Sequence, residues 1–418
     1  MTMPTLSPAE SSWLLILAGA LVIGAGFGVV AAATRYCNMG AISDWVLTGD
    51  KGRLRAWLLS IAVAIAAVGA LEATGLIDLD QTRVDYRSAA FPWLRYLLGG
   101  LMFGIGMVLA GGCTTRTLVN IGQGDLKALW AYAVVGLTAA ALLYLPTLRL
   151  FVDQALAWPG LTLASVGIDG QDPGSIGAHL VGPEALWGLA AATVASVALL
   201  VAVRRLDEAR RMRRTDVVGG LGIGLVIAAA WFWTGSPLGQ TLTSEAMLAF
   251  EPPKGTGTQS LSFVAPAAEA LRLASAPSLA LITFGLVAML GVILGAGVWF
   301  AARGQFRVQG FGSKEQFASY TAGGLLMGSG GIVAMGCSVG QGLSGTSTLA
   351  LGSLLALGSI ILGAWLTLKV MLYRALYPES SLPASLFAIL VDLHLAPAAR
   401  HPYHDREASG DRPGGCST

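Results

Sequence analysis

Charge is what this chain of 418 residues is short of: only 12% of its side chains are Asp, Glu, Lys or Arg, against about 25% in a soluble domain. A chain this long without a charged surface cannot stay dissolved in water. With 54% hydrophobic residues and 55 glycines, and a mean hydropathy of +0.67, the solvent for most of it is lipid. A net charge of +2 supplies no global field for nucleic acid, and no such partner is expected. Histidine is equally scarce, at His179, His394, His401 and His404. The four cysteines, Cys37, Cys113, Cys337 and Cys416, lie far apart without a CxxC pair. That excludes a disulfide framework and leaves no metal-ligand spacing, so neither metal nor cofactor is expected. Residues 1–11 lack Lys and Arg, and the apolar run Trp13–Ala33 has the length of a span. The start therefore predicts a retained first helix rather than a cleaved leader.

What is present is a series of apolar runs, at 12–33, 56–77, 93–112, 126–146, 183–203, 217–234, 278–302, 317–335 and 349–376. In lipid every backbone N–H and C=O needs an internal partner, so these runs must be helices. Lys51, Arg53 and Arg55, then Arg204, Arg205, Arg210, Arg211, Arg213 and Arg214, then Arg303, Arg307 and Lys314 follow spans one, five and seven. Nine spans put all three loops on one side, which the positive-inside rule makes cytoplasmic. The N-terminus is then periplasmic and the C-terminus cytoplasmic, and loops 78–92, 147–182 and 235–277 face outward. Within the last of these, the amphipathic piece Pro266–Leu273 is expected on the membrane surface.

The chain also repeats itself. With Cys113 set on Cys337, Gly99, Gly100, Leu101, Gly104, Gly106, Ala110 and Gly112 fall on Gly323, Gly324, Leu325, Gly328, Gly330, Ala334 and Gly336. A weaker match sets Gly24, Gly26 and Gly28 on Gly220, Gly222 and Gly224, and in that register Cys37 faces Trp233. The expected fold is an all-α multi-pass membrane protein of about nine transmembrane helices with short re-entrant half-helices, in two inverted pseudo-symmetric repeats. Residues 1–203, with loop 147–182, form the first repeat, 204–216 an Arg-rich cytoplasmic linker, 217–380 the second repeat and 381–418 a tail. Inverted repeats are a transporter architecture, with the substrate site where the halves meet.

Three polar stretches interrupt the apolar pattern: Arg35-Tyr36-Cys37-Asn38-Met39-Gly40, Gly111-Gly112-Cys113-Thr114-Thr115-Arg116-Thr117-Leu118-Val119-Asn120-Ile121-Gly122-Gln123-Gly124-Asp125, and Met335-Gly336-Cys337-Ser338-Val339-Gly340-Gln341-Gly342. Each leads into a segment of about a dozen residues, too short to span, which suggests a helix break and a half-helix turning back. A half-helix start offers free N–H donors and a partial positive charge, and so attracts anions. Thr114, Thr115 and Ser338 are placed to cap these ends or bond a ligand. The thiols of Cys37, Cys113 and Cys337 are weak donors suited to a soft anionic sulfur. Arg116 and Arg35 either neutralise that anion or pair with Asp125 and Asp44. Gln341 and Gln123 are polar liners or turn residues. Cys416 lacks the glycine-rich context and is left out of the path. No buried carboxylate suggests ion coupling, Glu72 near a helix end being the one candidate, and passage is expected to be facilitated.

At these motifs the sequence resembles the YeeE/YedE family of sulfur-transport membrane proteins, from span one to span nine. The resemblance implies a bacterial inner-membrane permease for thiosulfate, passed along by transient S–H···S contacts at Cys37, Cys113 and Cys337. It also implies a separate cytoplasmic partner, a small TusA-like sulfur-carrier protein. Related members are linked to selenium, which leaves a selenium-compound permease as one alternative. A second is a membrane-embedded sulfurtransferase, for which no His lies near any of the three cysteines to activate a thiolate. A third is a redox- or lipid-sensing scaffold without a path.

Overall fold

In a computed structural model the described residues are 8–392, except 81, 157–159, 181–183, 207–211, 249–251 and 378–380. They form α1 (Pro8–Thr34), α2 (Asn38–Thr48), α3 (Gly52–Ala73), α4 (Trp93–Leu109), α5 (Thr114–Gln123), α6 (Leu126–Tyr144), α7 (Pro146–Leu150) and α8 (Pro173–Leu180). There follow α9 (Glu184–Arg205), α10 (Arg214–Gly235), α11 (Pro237–Ala246), α12 (Ala265–Ser275), α13 (Phe284–Ala302), α14 (Lys314–Val333), α15 (Leu351–Leu376) and α16 (Leu382–Asp392). Sheet among the described residues is one antiparallel pairing of β1 (Ala90–Phe91) with β2 (Leu161–Thr162).

Eight helical stretches are long and apolar enough to cross a membrane; two of them run through a break, Pro8–Thr48 and Trp93–Gln123. The run expected at 317–335 is α14, which is long enough but diluted by Ser and Gly. It sits between α4 and α6, so protein rather than lipid covers much of it. The chain is thus an all-α multi-pass membrane protein.

Lipid gives no hydrophobic drive between helices, so close backbone packing must hold them together. Glycine permits it. A methyl added at Gly99 would lie 2.4 Å from the Ala334 nitrogen, and one at Gly330 would lie 2.5 Å from that of Phe103. The same helices, α4 and α14, meet again at Gly106 and Gly323, where a methyl would come within 2.7 Å of the Met327 nitrogen and 2.5 Å of the Ala110 nitrogen. On one flank Gly24 and Gly28 of α1 rest on the Ala288 and Val292 carbonyls of α13. On the other, Gly220 and Gly224 of α10 rest on the Ala56 and Ser60 carbonyls of α3.

Two sequence expectations are corrected. The piece Pro266–Leu273 lies in α12, which packs against α6 and α13 and buries Pro266, Ala267 and Ala268. Amphipathicity showed that it had an apolar face; the cover is α6 rather than lipid. Glu72 is not open for ion coupling, because Arg87 grips both of its carboxylate oxygens. The tail begins with a folded element, α16, set against α15, while His394, His401, His404 and Cys416 lie outside the described residues, as do Arg210 and Arg211 of the linker.

Candidate substrate path

The three cysteines share one backbone device. Two residues before each, the chain takes a left-handed conformation, at Arg35 (φ 55°), Gly111 (φ 70°) and Met335 (φ 58°). The following N–H then reaches back to the helix just ended: Tyr36 to the Ala31 carbonyl at 3.0 Å, Gly112 to Met107 at 2.9 Å, and Gly336 to Gly331 at 2.8 Å. This is a Schellman closure of α1, α4 and α14. It ends each helix sharply and places the cysteine at the start of the next segment. Arg35 and Met335 hold a conformation that costs a side chain about 1–3 kcal/mol.

Cys37 is the N-cap of α2, and its Sγ accepts from the Gly40 N–H at 3.2 Å. Cys337 makes the matching bond with the Gly340 N–H at 3.4 Å. Cys113 is the N-cap of α5 in extended conformation. Its sulfur is approached by the N–H groups of Arg116 and Met39, and by the side chains of Cys37 and Ser338. Two helix starts, those of α2 and α5, therefore converge on one sulfur. All three cysteines are free and buried. The predicted half-helices are present after the first two. The third is instead a π-helical turn, Gly340–Gly345, ahead of α15. Three glycines within Gly340–Gly345 remove the side chains that favour regular α-helix.

The first and third breaks are joined where Asn38 donates its amide to the Ser338 carbonyl at 3.1 Å. Around them, the hydroxyls of Thr114, Thr115 and Ser338, Oδ1 of Asn38 and Nε1 of Trp57 are buried without a hydrogen-bond partner. Trp57 lies against Gly342 of the π-turn. Thr114 and Ser338, expected as caps or ligand groups, do not cap. Gln341 has a structural occupation: it donates to the Ala334 carbonyl at 2.7 Å and accepts from Ser353 at 2.6 Å. Arg116 is partly buried beside Cys37. It does not pair with Asp125, which caps α6 and faces Lys127. Asp44 likewise pairs with Arg53 rather than Arg35.

Sequence reading missed several residues here. Trp57 looks like any apolar residue of a span. Tyr86, from the loop before α4, donates to the Gly340 carbonyl at 3.0 Å. Gln171 caps α15 with its main-chain carbonyl on Leu351 N–H at 3.0 Å and its side-chain oxygen on Gly352 N–H at 2.8 Å. A fourth break was also missed. Ser236 caps α11 through Gly239 N–H at 3.3 Å, in the manner of Cys37. Ser236 lies three residues beyond Trp233, where α10 ends and Pro237 opens α11.

Helix breaks lined by buried polar atoms and closed by glycine-packed helices fit a membrane transporter. A family model described as sulphur transport matches residues 33–366, and the chain belongs to that family. Similar proteins include the thiosulfate transporter TsuA of Escherichia coli K12, 28% identical over 318 residues, which are 75% of this chain and 82% of that one. The thiosulfate transporter TsuA of Spirochaeta thermophila is 29% identical over 121 residues, 29% of this chain and 34% of that protein. A protein named probable transporter YedE, also of Escherichia coli K12, is 29% identical over 113 residues, 27% of this chain and 25% of that one.

Proposed function

We propose that this protein is a permease that carries thiosulfate across the bacterial inner membrane, from the side of the long loops to the side of Lys51 and Arg53. The observation that carries the reading is the set of unpartnered buried polar atoms gathered around three cysteine-led helix breaks. Each unsatisfied group costs about 1–3 kcal/mol, which a polar ligand in transit recovers. Two helix starts aimed at Cys113 favour an anion. The thiols, weak donors with polarizable sulfur, are read as suited to an anion with a soft terminal sulfur. A passage must also release its cargo. Weak thiol donors hold a dianion loosely, and Arg116, in the first turn of α5, attracts it.

The halves are read as inverted repeats, with periplasmic N-terminus and cytoplasmic C-terminus. The support is the exchange at the α4–α14 crossing: Gly99 on Gly330 becomes Gly323 on Gly106 when each residue is replaced by its sequence counterpart. Passage is facilitated, and a small TusA-like carrier protein receives sulfur on the cytoplasmic side.

The test is growth of a bacterium lacking its own thiosulfate uptake, on thiosulfate as sole sulfur source. The parent restores growth, and Cys113→Ala at equal membrane abundance does not. A parent that is well inserted yet fails overturns the thiosulfate assignment and leaves a selenium compound as the next substrate to supply. A persulfide found by mass spectrometry on Cys37, Cys113 or Cys337 after thiosulfate exposure would replace permease by sulfurtransferase.

A further inference from the structure

A cavity of about 660 Å³ opens among the long loops, and its wall includes Met335 and Gly336, the two residues before Cys337. Four arginines line it, Arg83, Arg95, Arg149 and Arg272, with one carboxylate fewer. Their pairing is uneven. Arg83 is held by Glu269 at 2.6 Å and by Gln259 at 2.9 Å. Arg95 and Arg149 share a single carboxylate, Asp153, at 3.6 and 3.5 Å. Arg272 has no carboxylate partner among the described residues. Its guanidinium lies over the Tyr144 ring, 4.8 Å from the centroid. Glu269, one turn earlier on α12, is turned to Arg83 and Thr283 instead.

We propose that this cavity is a second anion site, which captures a small divalent oxyanion at Arg272 before it reaches Cys337; the inference rests on the permease reading above. The ring fixes one face of the guanidinium and leaves its N–H edge for a ligand. The shared Asp153 and the unshared Arg272 leave the wall positive against low-dielectric surroundings, which raises the local concentration of anions. A pocket of this volume admits a small anion with part of its water. Most of the desolvation is then left to the breaks below. The site sits on α12 and the ends of α6 and α14, so it is separate from the cysteines that it feeds.

The test is initial uptake of radiolabelled thiosulfate into proteoliposomes by the parent, Arg272→Gln, Arg272→Lys and Tyr144→Leu. Arg272→Gln is expected to raise the half-saturating concentration about fivefold to tenfold at low salt, with maximal rate within about twofold. Arg272→Lys restores most of the affinity, Tyr144→Leu falls between, and high salt erases the differences. An unchanged half-saturation in Arg272→Gln, or a fall in maximal rate alone, overturns the site. Equilibrium binding of labelled thiosulfate to purified Cys113→Ala reads the site apart from transport. Binding that persists there and is lost on adding Arg272→Gln supports the outer site even if the parent moves no thiosulfate. Transport by the parent without any dependence on Arg272 overturns the outer site and leaves the permease reading intact.

Discussion

Asn38 gives its side-chain amide to the main-chain carbonyl of Ser338, 3.1 Å away and 300 residues on in sequence, while its own Oδ1 has no partner. One residue thus fastens the first helix break to the third and still keeps a buried acceptor unpartnered. Asn38→Ala leaves the Ser338 carbonyl buried and unpaired, at a cost of about 1–3 kcal/mol. A lower melting temperature in detergent is expected, together with loss of most thiosulfate uptake. Asn38→Asp removes the donor and buries a charge, and is expected to be worse in both measurements.

Cys37 caps α2 and is one of the three cysteines of the proposed path, and the two roles separate by substitution. Cys37→Ser keeps an acceptor for the Gly40 N–H, so the melting temperature should stay near that of the parent while uptake falls by an order of magnitude or more. Cys37→Ala loses the cap as well, with an added destabilisation of about 1 kcal/mol. Equal uptake in parent and serine variant would remove the thiol from the path.

Met335 occupies a left-handed backbone position that glycine fills without strain. Met335→Gly is expected to stabilise the protein by about 1 kcal/mol, read as a higher melting temperature. Gly111→Ala, at the matching turn, is expected to lower it: its added methyl would also meet the Tyr320 hydroxyl at 2.8 Å.

Gly99→Ala places a methyl 2.4 Å from the Ala334 nitrogen, whereas at Gly26 nothing lies within 4 Å of the added atom. Gly99→Ala should cost about 1–3 kcal/mol, seen as loss of monodisperse protein in size-exclusion chromatography. Gly26→Ala should behave as the parent or slightly better, since alanine favours helix.

Arg116 makes no ion pair among the described residues and lies beside Cys37. Arg116→Gln is expected to reduce uptake about tenfold without a fall in melting temperature, and Arg116→Lys to recover part of it. A stability loss with unaltered uptake would assign Arg116 a structural role instead.

The spans and the three cysteine breaks were legible in the sequence because polar and glycine residues interrupt long apolar runs there, and lipid tolerates that only for a reason. The break after the sixth span was not: the run was read to 234 and α10 ends at Gly235, but no cysteine marks the turn that Ser236 and Pro237 make there. The ties from Tyr86 and Gln171 were illegible for another reason. Each joins a loop residue to backbone atoms far along the chain, and a main-chain carbonyl has no sequence signature. Period and composition likewise gave α12 an apolar face without saying that α6 would cover it.

The crossing of α4 and α14 has a mechanical meaning. Four glycine contacts put main chain against main chain, so at these points the two helices touch without a rotamer to absorb sliding. Cysteine-led turns hang directly from the ends of both. If cargo advances, the give must come from the turns and the half-helices beyond them, while the central cross stays as a fixed post. The molecule then works less like two rocking shells than like a rigid frame with a compliant throat.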